Sequence, residues 1–402
     1  MRVPTFTLAV ALALTAACGV DRHPGRSIGI ERFPGVRDLF MFAERHREKH
    51  GLPALGLGIV RDGQIIGLGV AGERQVRSAN WATLDDRFEV ASCAKAVTAT
   101  VAAILAEQGA VGWDTTVMEV FPEWSPSIVP AYKVVTLDML LRHRSGVGQW
   151  MSTNERWAKW HHDHADANAT EKRRLFTAKV LRDQPRYQPG TASYYTNDAY
   201  LVAGSMLERV SGRSWEHLVL SRLFEPVGLR SMRFGAPSSS STTPFAWGHE
   251  SGLFGRARSI QPDPDEYGDP PFGSPGGFLY STVPDLLRFV DFHIQGASAR
   301  PTLLGRQSFA RLHTPHEDQR FALGWEVELK RDGRGSVLER SLYHGGFSGR
   351  ARANMWFSPE SRTGTVIVYN HGGDEVADAY SDIFYALLAE FGLWDRGYQA
   401  MP

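Results

Sequence analysis

One stretch of this 402-residue chain limits its architecture more than any other. Ala96 to Gln108 reads Ala-Val-Thr-Ala-Thr-Val-Ala-Ala-Ile-Leu-Ala-Glu-Gln without a break and stops at Gly109. Alanine-rich sequence ended by glycine predicts a helix with a glycine C-cap, and a helix apolar on all sides must be buried among other layers. A chain with 43% hydrophobic residues is long enough to supply them from its own core.

The helix opens on Ser92-Cys93-Ala94-Lys95, after the lead-in Asp-Arg-Phe-Glu-Val-Ala at 86–91. Ser92 and Lys95 are three apart, so on a helix they share a face and can touch. A serine hydroxyl is a poor nucleophile until a base takes its proton, and Lys95 is the candidate. Burial and the positive end of the helix dipole both disfavour its ammonium form, while the same N–H groups favour negative charge growing on the Ser92 oxygen. The tetrad alone also fits a serine N-cap followed by a solvated lysine.

Two more clusters lie downstream. Tyr194-Tyr195-Thr196-Asn197 follows the turn signal Gln188-Pro189-Gly190 and precedes a helical stretch that stops at Ser211-Gly212. Tyr195 and Asn197 can project from such a loop into one cleft, or serve as a packed ring and a helix cap. His344-Gly345-Gly346-Phe347-Ser348-Gly349 precedes the strand-like Ala353-Asn-Met-Trp-Phe. Its glycines let a backbone approach a ligand closely, though a plain hairpin with a surface histidine reads the same way.

In this order and at about this separation, S-x-x-K, Y-x-N and H-x-G resemble the penicillin-recognising serine hydrolases: class C β-lactamases, D,D-peptidases and related esterases and D-aminopeptidases. The phrases Leu140-Leu-Arg-His-Arg-Ser-Gly146, Leu223-Phe-Glu-Pro-Val-Gly228, Gly276-Gly-Phe-Leu-Tyr-Ser-Thr282 and Leu323-Gly-Trp325 add to the likeness, which runs from about 34 to 392. The resemblance implies that Ser92 attacks a carbonyl and becomes the acyl-enzyme. Lys95 activates it, alone or with Tyr195, whose phenol passes a proton to the leaving group. Asn197 holds the substrate amide, His344, Gly345 and Gly346 line the site, and the N–H groups of Ser92 and Phe347 form the oxyanion hole. The implied substrate is a β-lactam, amide or ester carbonyl, without cofactor or metal. A binder of the same fold that has lost turnover is the alternative.

The chain departs from the class C pattern at the third motif, where those enzymes carry Lys-Thr-Gly. A largely neutral histidine holds a carboxylate less well than lysine does, and Gly345 removes a hydroxyl. Arg350 and Arg352 lie nearby as possible substitutes or as solvated strand-edge charges. The H-x-G form is closer to the D,D-peptidase, D-aminopeptidase and esterase branches.

The expected fold class is α+β: an antiparallel sheet flanked by helices, plus a mainly helical lobe, with the site in the cleft between. Residues 34–396 form the domain, with the sheet lobe at about 34–90 and 245–396 and the helical lobe at about 91–244. A helix is expected from Gly35 to about Lys49, a hairpin turn at Arg61-Asp62-Gly63, a loop at 237–244, a strand at Gly364–Asn370 and a last helix from Ala377 to Phe391. Met1-Arg2 and the apolar run to Ala17 predict a signal peptide over 1–18. Thr15-Ala-Ala-Cys18 resembles a lipoprotein site although the usual leucine is missing, so Cys18 is a candidate for lipidation, followed by a tether over 19–33. That places the protein outside the cytoplasm of a bacterium, in the periplasm or cell envelope, attached to a membrane by lipid at most.

Only Cys18 and Cys93 are present, so once Cys18 is lipidated or removed no internal disulfide is possible. Cys93 beside Ser92 reads as a small buried residue rather than a rival nucleophile. Net charge is zero with no basic tract, which argues against nucleic-acid binding. Gly67-Leu-Gly-Val-Ala-Gly72 fits a dinucleotide pattern but lacks a crossover helix, and His161-His162-Asp163-His164 reads as a solvated loop rather than a metal site. No H-E-x-x-H, G-x-S-x-G or P-loop occurs. His143 is expected to be structural.

Overall fold

The computed structural model describes residues 25–237, 244–252, 255–263, 270–298, 303–317, 320–331 and 336–393. The signal-like start, Cys18 and most of the 237–244 loop lie outside them.

The chain enters through strand β1 (Arg37–Asp38) and helix α1 (Phe40–Lys49), then folds into the hairpin β2 (Ala54–Arg61) and β3 (Gln64–Gly72). Asp62 and Gly63 have φ of 54° and 86°, the mirror-image two-residue turn whose twist suits a hairpin. The helix expected from Gly35 starts five residues later. The Asp38 carboxylate accepts from Phe40 N at 2.9 Å, and Ser27 donates to the same carboxylate, so residues 37–38 are spent on pairing with β3. Residues 25–33 are not a free tether, because Ser27 is fully buried and its hydroxyl accepts from Val70 N.

After β4 (Phe88–Glu89) comes a helical stretch: α2 (Ala94–Glu107), α3 (Val117–Val120), α4 (Leu137–Leu141), α5 (Asn154–Asp163), α6 (Ala169–Val180), α7 (Asn197–Ser211), α8 (Trp215–Val219) and α9 (Glu225–Val227). α2 buries every residue from Ala94 to Leu105. Most of the other starts are capped by hydroxyls, among them Thr116, Thr136, Thr196 and Ser214. The return path is β5 (Arg233–Phe234), β6 (His249–Ser251), β7 (Ala257–Ser259), β8 (Leu279–Ser281), α10 (Val283–Ala297), α11 (Arg306–His313), β9 (Glu326–Arg331), β10 (Val337–Phe347), β11 (Arg352–Ser358), β12 (Thr363–Tyr369) and α12 (Ala379–Glu390). No helix among the described residues is long and apolar enough to cross a membrane.

Seven strands form the main sheet in the order β1-β3-β2-β12-β11-β10-β9, antiparallel except for β1 with β3. β12 is central and wholly buried, and its side chains alternate between two cores. Ile367 and Tyr369 join Leu39, Phe384 and Leu387 under α1 and α12, while Val366 and Val368 join the larger core under α10 and α2. Glycine makes the second packing close: a Cβ on Gly58 or Gly364 would meet Leu287 or Val290 of α10 at 2.6 or 2.3 Å. A small sheet, β4-β8-β5, ties β5, which follows the helical stretch, through β8 to β4, which precedes it. The observed architecture is α+β, a sheet between helical layers with a helical lobe beside it.

Candidate active site

Ser92 lies in a single 3-10 turn, Ala91–Cys93, immediately ahead of α2. Ala91 takes φ of 44°, a left-handed conformation that costs a non-glycine residue roughly 1 kcal/mol or more. Neither this turn nor α2 has a side-chain cap, so Ser92 is not an N-cap. Nor is Lys95 a solvated first-turn residue, because it is fully buried. Its amine reaches three oxygens: Ser92 Oγ at 3.0 Å, Asn197 Oδ1 at 2.6 Å and the Gly276 carbonyl at 2.7 Å. Burial pulls the Lys95 pKa down to about 7, against the weaker upward pull of Cys93 and Asp198. A neutral amine has two N–H groups and one lone pair. With Asn197 and Gly276 taking the N–H groups, the lone pair is left facing the Ser92 hydroxyl.

Tyr195 completes the group. Its phenol lies beside the Ser92 hydroxyl, and the Lys95 amine lies 4.8 Å from its ring centroid. Burial raises its pKa, so it is a neutral phenol. His143, itself at φ of 58°, shapes the segment that carries Tyr195. His143 Nδ1 accepts from Thr196 N at 3.2 Å, and its carbonyl accepts from Tyr194 N and from the Tyr187 hydroxyl. Burial pushes the His143 pKa well below the usual value, so the ring is neutral with its proton on Nε2. The start of α7 is stitched to the 148–151 strand of chain. Thr196 Oγ1 donates to Gly148 O, Asn197 N donates to Gln149 Oε1, and the buried Asp198 carboxylate accepts from Trp150 N at 2.5 Å and Met151 N at 3.3 Å. Burial raises Asp198 to about 7, with those two N–H groups opposing.

β10 brings the third motif alongside. His344 is buried and its Nδ1 donates to Gly345 O at 2.8 Å. Burial, with a smaller push from Lys95, takes its pKa down to about 3, so the ring is uncharged at neutral pH. A Cβ on Gly346 would sit 2.2 Å from Val90 O, so only glycine lets β10 run this close to the Ser92 turn. Phe347 is half exposed and faces a cleft of about 360 Å³, lined also by Ser92, Gln149, Asn197, Trp157 and Arg350, with Glu89 and Asp263 on its walls. Cys93 points away into the core, where its thiol donates to His344 O at 3.3 Å and burial pushes it up to about 12. It stays a thiol and is no nucleophile.

The β-lactamase family model matches residues 41–390 of the chain. The chain belongs to the β-lactamase family. It is 28% identical over 257 residues to penicillin-binding protein 4 of Amycolatopsis lactamdurans, a match covering 63% of this chain and 62% of that protein. It is 28% identical over 178 residues to lovastatin esterase of Penicillium rubens, covering 41% of this chain and 42% of that one. The chain thus spans under two thirds of the length of these relatives. Among solved structures, SurE superposes with a TM-score of 0.71 at 21% identity, over 90% of this chain and 77% of that one. A class C β-lactamase superposes at 0.67 and 18% identity, over 86% and 93%. These likenesses establish the same fold.

Within this β-lactamase-family chain, Ser92, Lys95, Tyr195, Asn197, His344 and Gly346 converge as the sequence suggests. Three contributors escape sequence reading. Gly276 stands in a phrase that adds to the family likeness, yet nothing there marks its carbonyl as a partner of Lys95. The Gln149 anchor carries no signature, and Asp198 resembles an ordinary acidic residue in a first helical turn. The run His161-His162-Asp163-His164 is not a loop: it is the end of α5, where His164 stacks on Trp160 at 4.0 Å and accompanies the amphipathic face set by Trp157 and Trp160. Gly67 to Gly72 lies inside β3, with no helix after it.

Proposed function

We propose that this chain is a serine hydrolase that works through an acyl-enzyme on Ser92 and prefers a carbonyl substrate with no carboxylate beside the scissile bond, a neutral ester above all. In this reading neutral Lys95 takes the Ser92 proton as the hydroxyl attacks. The N–H groups of Ser92 and Phe347 stabilise the oxyanion, worth about 3 kcal/mol each for such donors. Tyr195 hands a proton to the leaving group and regains one from the Lys95 ammonium, which restores the neutral amine. That amine then takes a proton from the water that attacks the acyl group and returns it to the Ser92 oxygen as the acid leaves.

The observation that carries the substrate preference is His344. Buried and uncharged, it offers no cation where a carboxylate would be held, and Gly345 offers no hydroxyl. Phe347 supplies an apolar surface in the cleft instead. The likeness to lovastatin esterase supports the same direction. A second reading rests on Arg350, which lines the cleft and would give a penicillin carboxylate an anchor.

The test follows p-nitrophenyl butyrate and benzylpenicillin in parallel, with intact-protein mass, for wild type, Ser92→Ala and Arg350→Gln. Expected are ester turnover that falls roughly 10³-fold or more in Ser92→Ala, and little penicillin loss. Penicillin cleared faster than ester, with loss of that activity in Arg350→Gln, would overturn the preference. Ligand retained without turnover in the wild type would point to a binder that has lost catalysis.

A further inference from the structure

On the sheet face opposite α10, α1 and α12 lie side by side, and none of the cleft-lining residues belongs to either helix. Their contact is polar at one point. His46 on the last turn of α1 and His50 just after it are four apart, so both rings face the same way. Both reach one atom of α12: Asp382 Oδ2 lies 3.2 Å from His46 Nδ1 and 2.9 Å from His50 Nε2. The three ligand atoms all fall within 4.8 Å of one another.

We propose that His46, His50 and Asp382 form a three-ligand site for zinc or a similar borderline divalent ion, clamping α1 to α12. Zinc bonds of 2.0–2.1 Å place tetrahedral ligands about 3.3 Å apart, and two of the three separations here are within a few tenths of that. Two imidazoles and one carboxylate suit zinc, nickel or copper rather than calcium or magnesium, which take oxygen ligands. The site is partly preformed. His46 packs on Phe42 with ring centroids 4.4 Å apart, and Lys49 donates to the other carboxylate oxygen, Oδ1, at 2.7 Å. That bond orients Asp382 and leaves Oδ2 for the ion. Each imidazole is 12–17% exposed, so an ion can enter from solvent. On binding, each neutral ring keeps one proton on the nitrogen turned away from the metal, Asp382 stays ionised, and water takes the fourth position.

The experiment uses the untagged full chain, stripped with chelator and dialysed. Zinc chloride titration by calorimetry is expected to give one ion per chain. A hundredfold excess over Kd is expected to raise Tm by about 2–5 °C. Calcium chloride should do neither, and ester hydrolysis should not change. His50→Gln and Asp382→Asn are expected to weaken zinc binding at least tenfold and to remove the Tm rise. The double variant His161→Gln/His164→Gln should keep both. A wild type that takes no zinc overturns the proposal, as does a folded His50→Gln or Asp382→Asn chain that binds it unchanged. Loss in the α5 double variant instead moves the ion to α5 and overturns it equally.

Discussion

An amine in a protein core acts as a base only when its lone pair faces a proton it can take, and Lys95 satisfies that condition through its neighbours. Asn197 Oδ1 and Gly276 O hold two directions, which leaves the third for Ser92 Oγ. In the proposed mechanism the free amine is the working form. Since burial sets the Lys95 pKa at about 7, kcat/KM for an ester should rise with pH through about 7 and level off above it, losing about tenfold per unit on the acid side. If Tyr195 were the base, its raised pKa would move that rise far to the alkaline side. Tyr195→Phe is therefore expected to lower kcat while keeping the midpoint near 7, and Lys95→Met to lower kcat/KM by roughly 10³-fold or more. A pH–rate profile on the three proteins checks both; a midpoint that shifts by several units in Tyr195→Phe would assign the base to Tyr195. Ser92, Lys95, Tyr195, Asn197 and His344 were legible as candidates only when the three motifs were read together as a family resemblance, since the spacing of Ser92 and Lys95 alone also fitted a capped helix. The Gly276 carbonyl was not, because a backbone acceptor looks the same in every residue.

At the scale of elements, β10 shows how a strand can be specified by what it passes. His344 turns its buried ring toward Tyr195, while Gly346 runs against the carbonyl of Val90, two residues before the nucleophile candidate. Gly346→Ala would place its Cβ 2.2 Å from that carbonyl, so β10 or the Ser92 turn must move. We expect a loss of about 2–4 kcal/mol by urea unfolding, with most of the hydrolysis. Gly345→Ala meets only the end of the Asn354 side chain at 3.2 Å and should cost under about 1 kcal/mol. Equal losses in the two variants would mean that strand propensity, not the Val90 contact, sets the cost. Elements were read correctly where local chemistry decided them, as at Asp62-Gly63 and at the Gly212 end of α7. They were misread where a distant partner decided. Asp38 is diverted by Ser27 and β3, so α1 starts late, and the histidines of α5 are helical because Trp157 and Trp160 are buried beneath them.

Across the whole molecule, the site draws its oxygens from three separate stretches, and something must hold those stretches in register. Lys95 is on α2 and Asn197 on α7, but Gly276 belongs to an irregular segment, 270–278, between the lobes. Arg173 of α6 fixes that segment from behind. Fully buried, it donates to both carboxylate oxygens of Glu208 on α7, to both of Glu216 on α8, and to Phe272 O at 3.0 Å. Sequence reading had no access to this triad, since its members stand 35 and 43 residues apart and each alone resembles a solvated helix charge. Arg173→Met removes the cation that pairs, among the described residues, with two buried carboxylates, and breaking such a set typically costs about 3–5 kcal/mol. It also frees the Phe272 carbonyl four residues from the one that holds Lys95. The expected result is a stability loss of that size by urea unfolding, together with a roughly tenfold lower kcat and a pH midpoint moved up from about 7 as water reaches the amine. The triple variant Arg173→Met/Glu208→Gln/Glu216→Gln removes the uncompensated charges and should recover much of the stability. Because the Arg173 bond to Phe272 O is still missing, it should not recover kcat. Recovery of both together would mean that Arg173 serves stability alone, and that the 270–278 segment is held against Lys95 by other contacts.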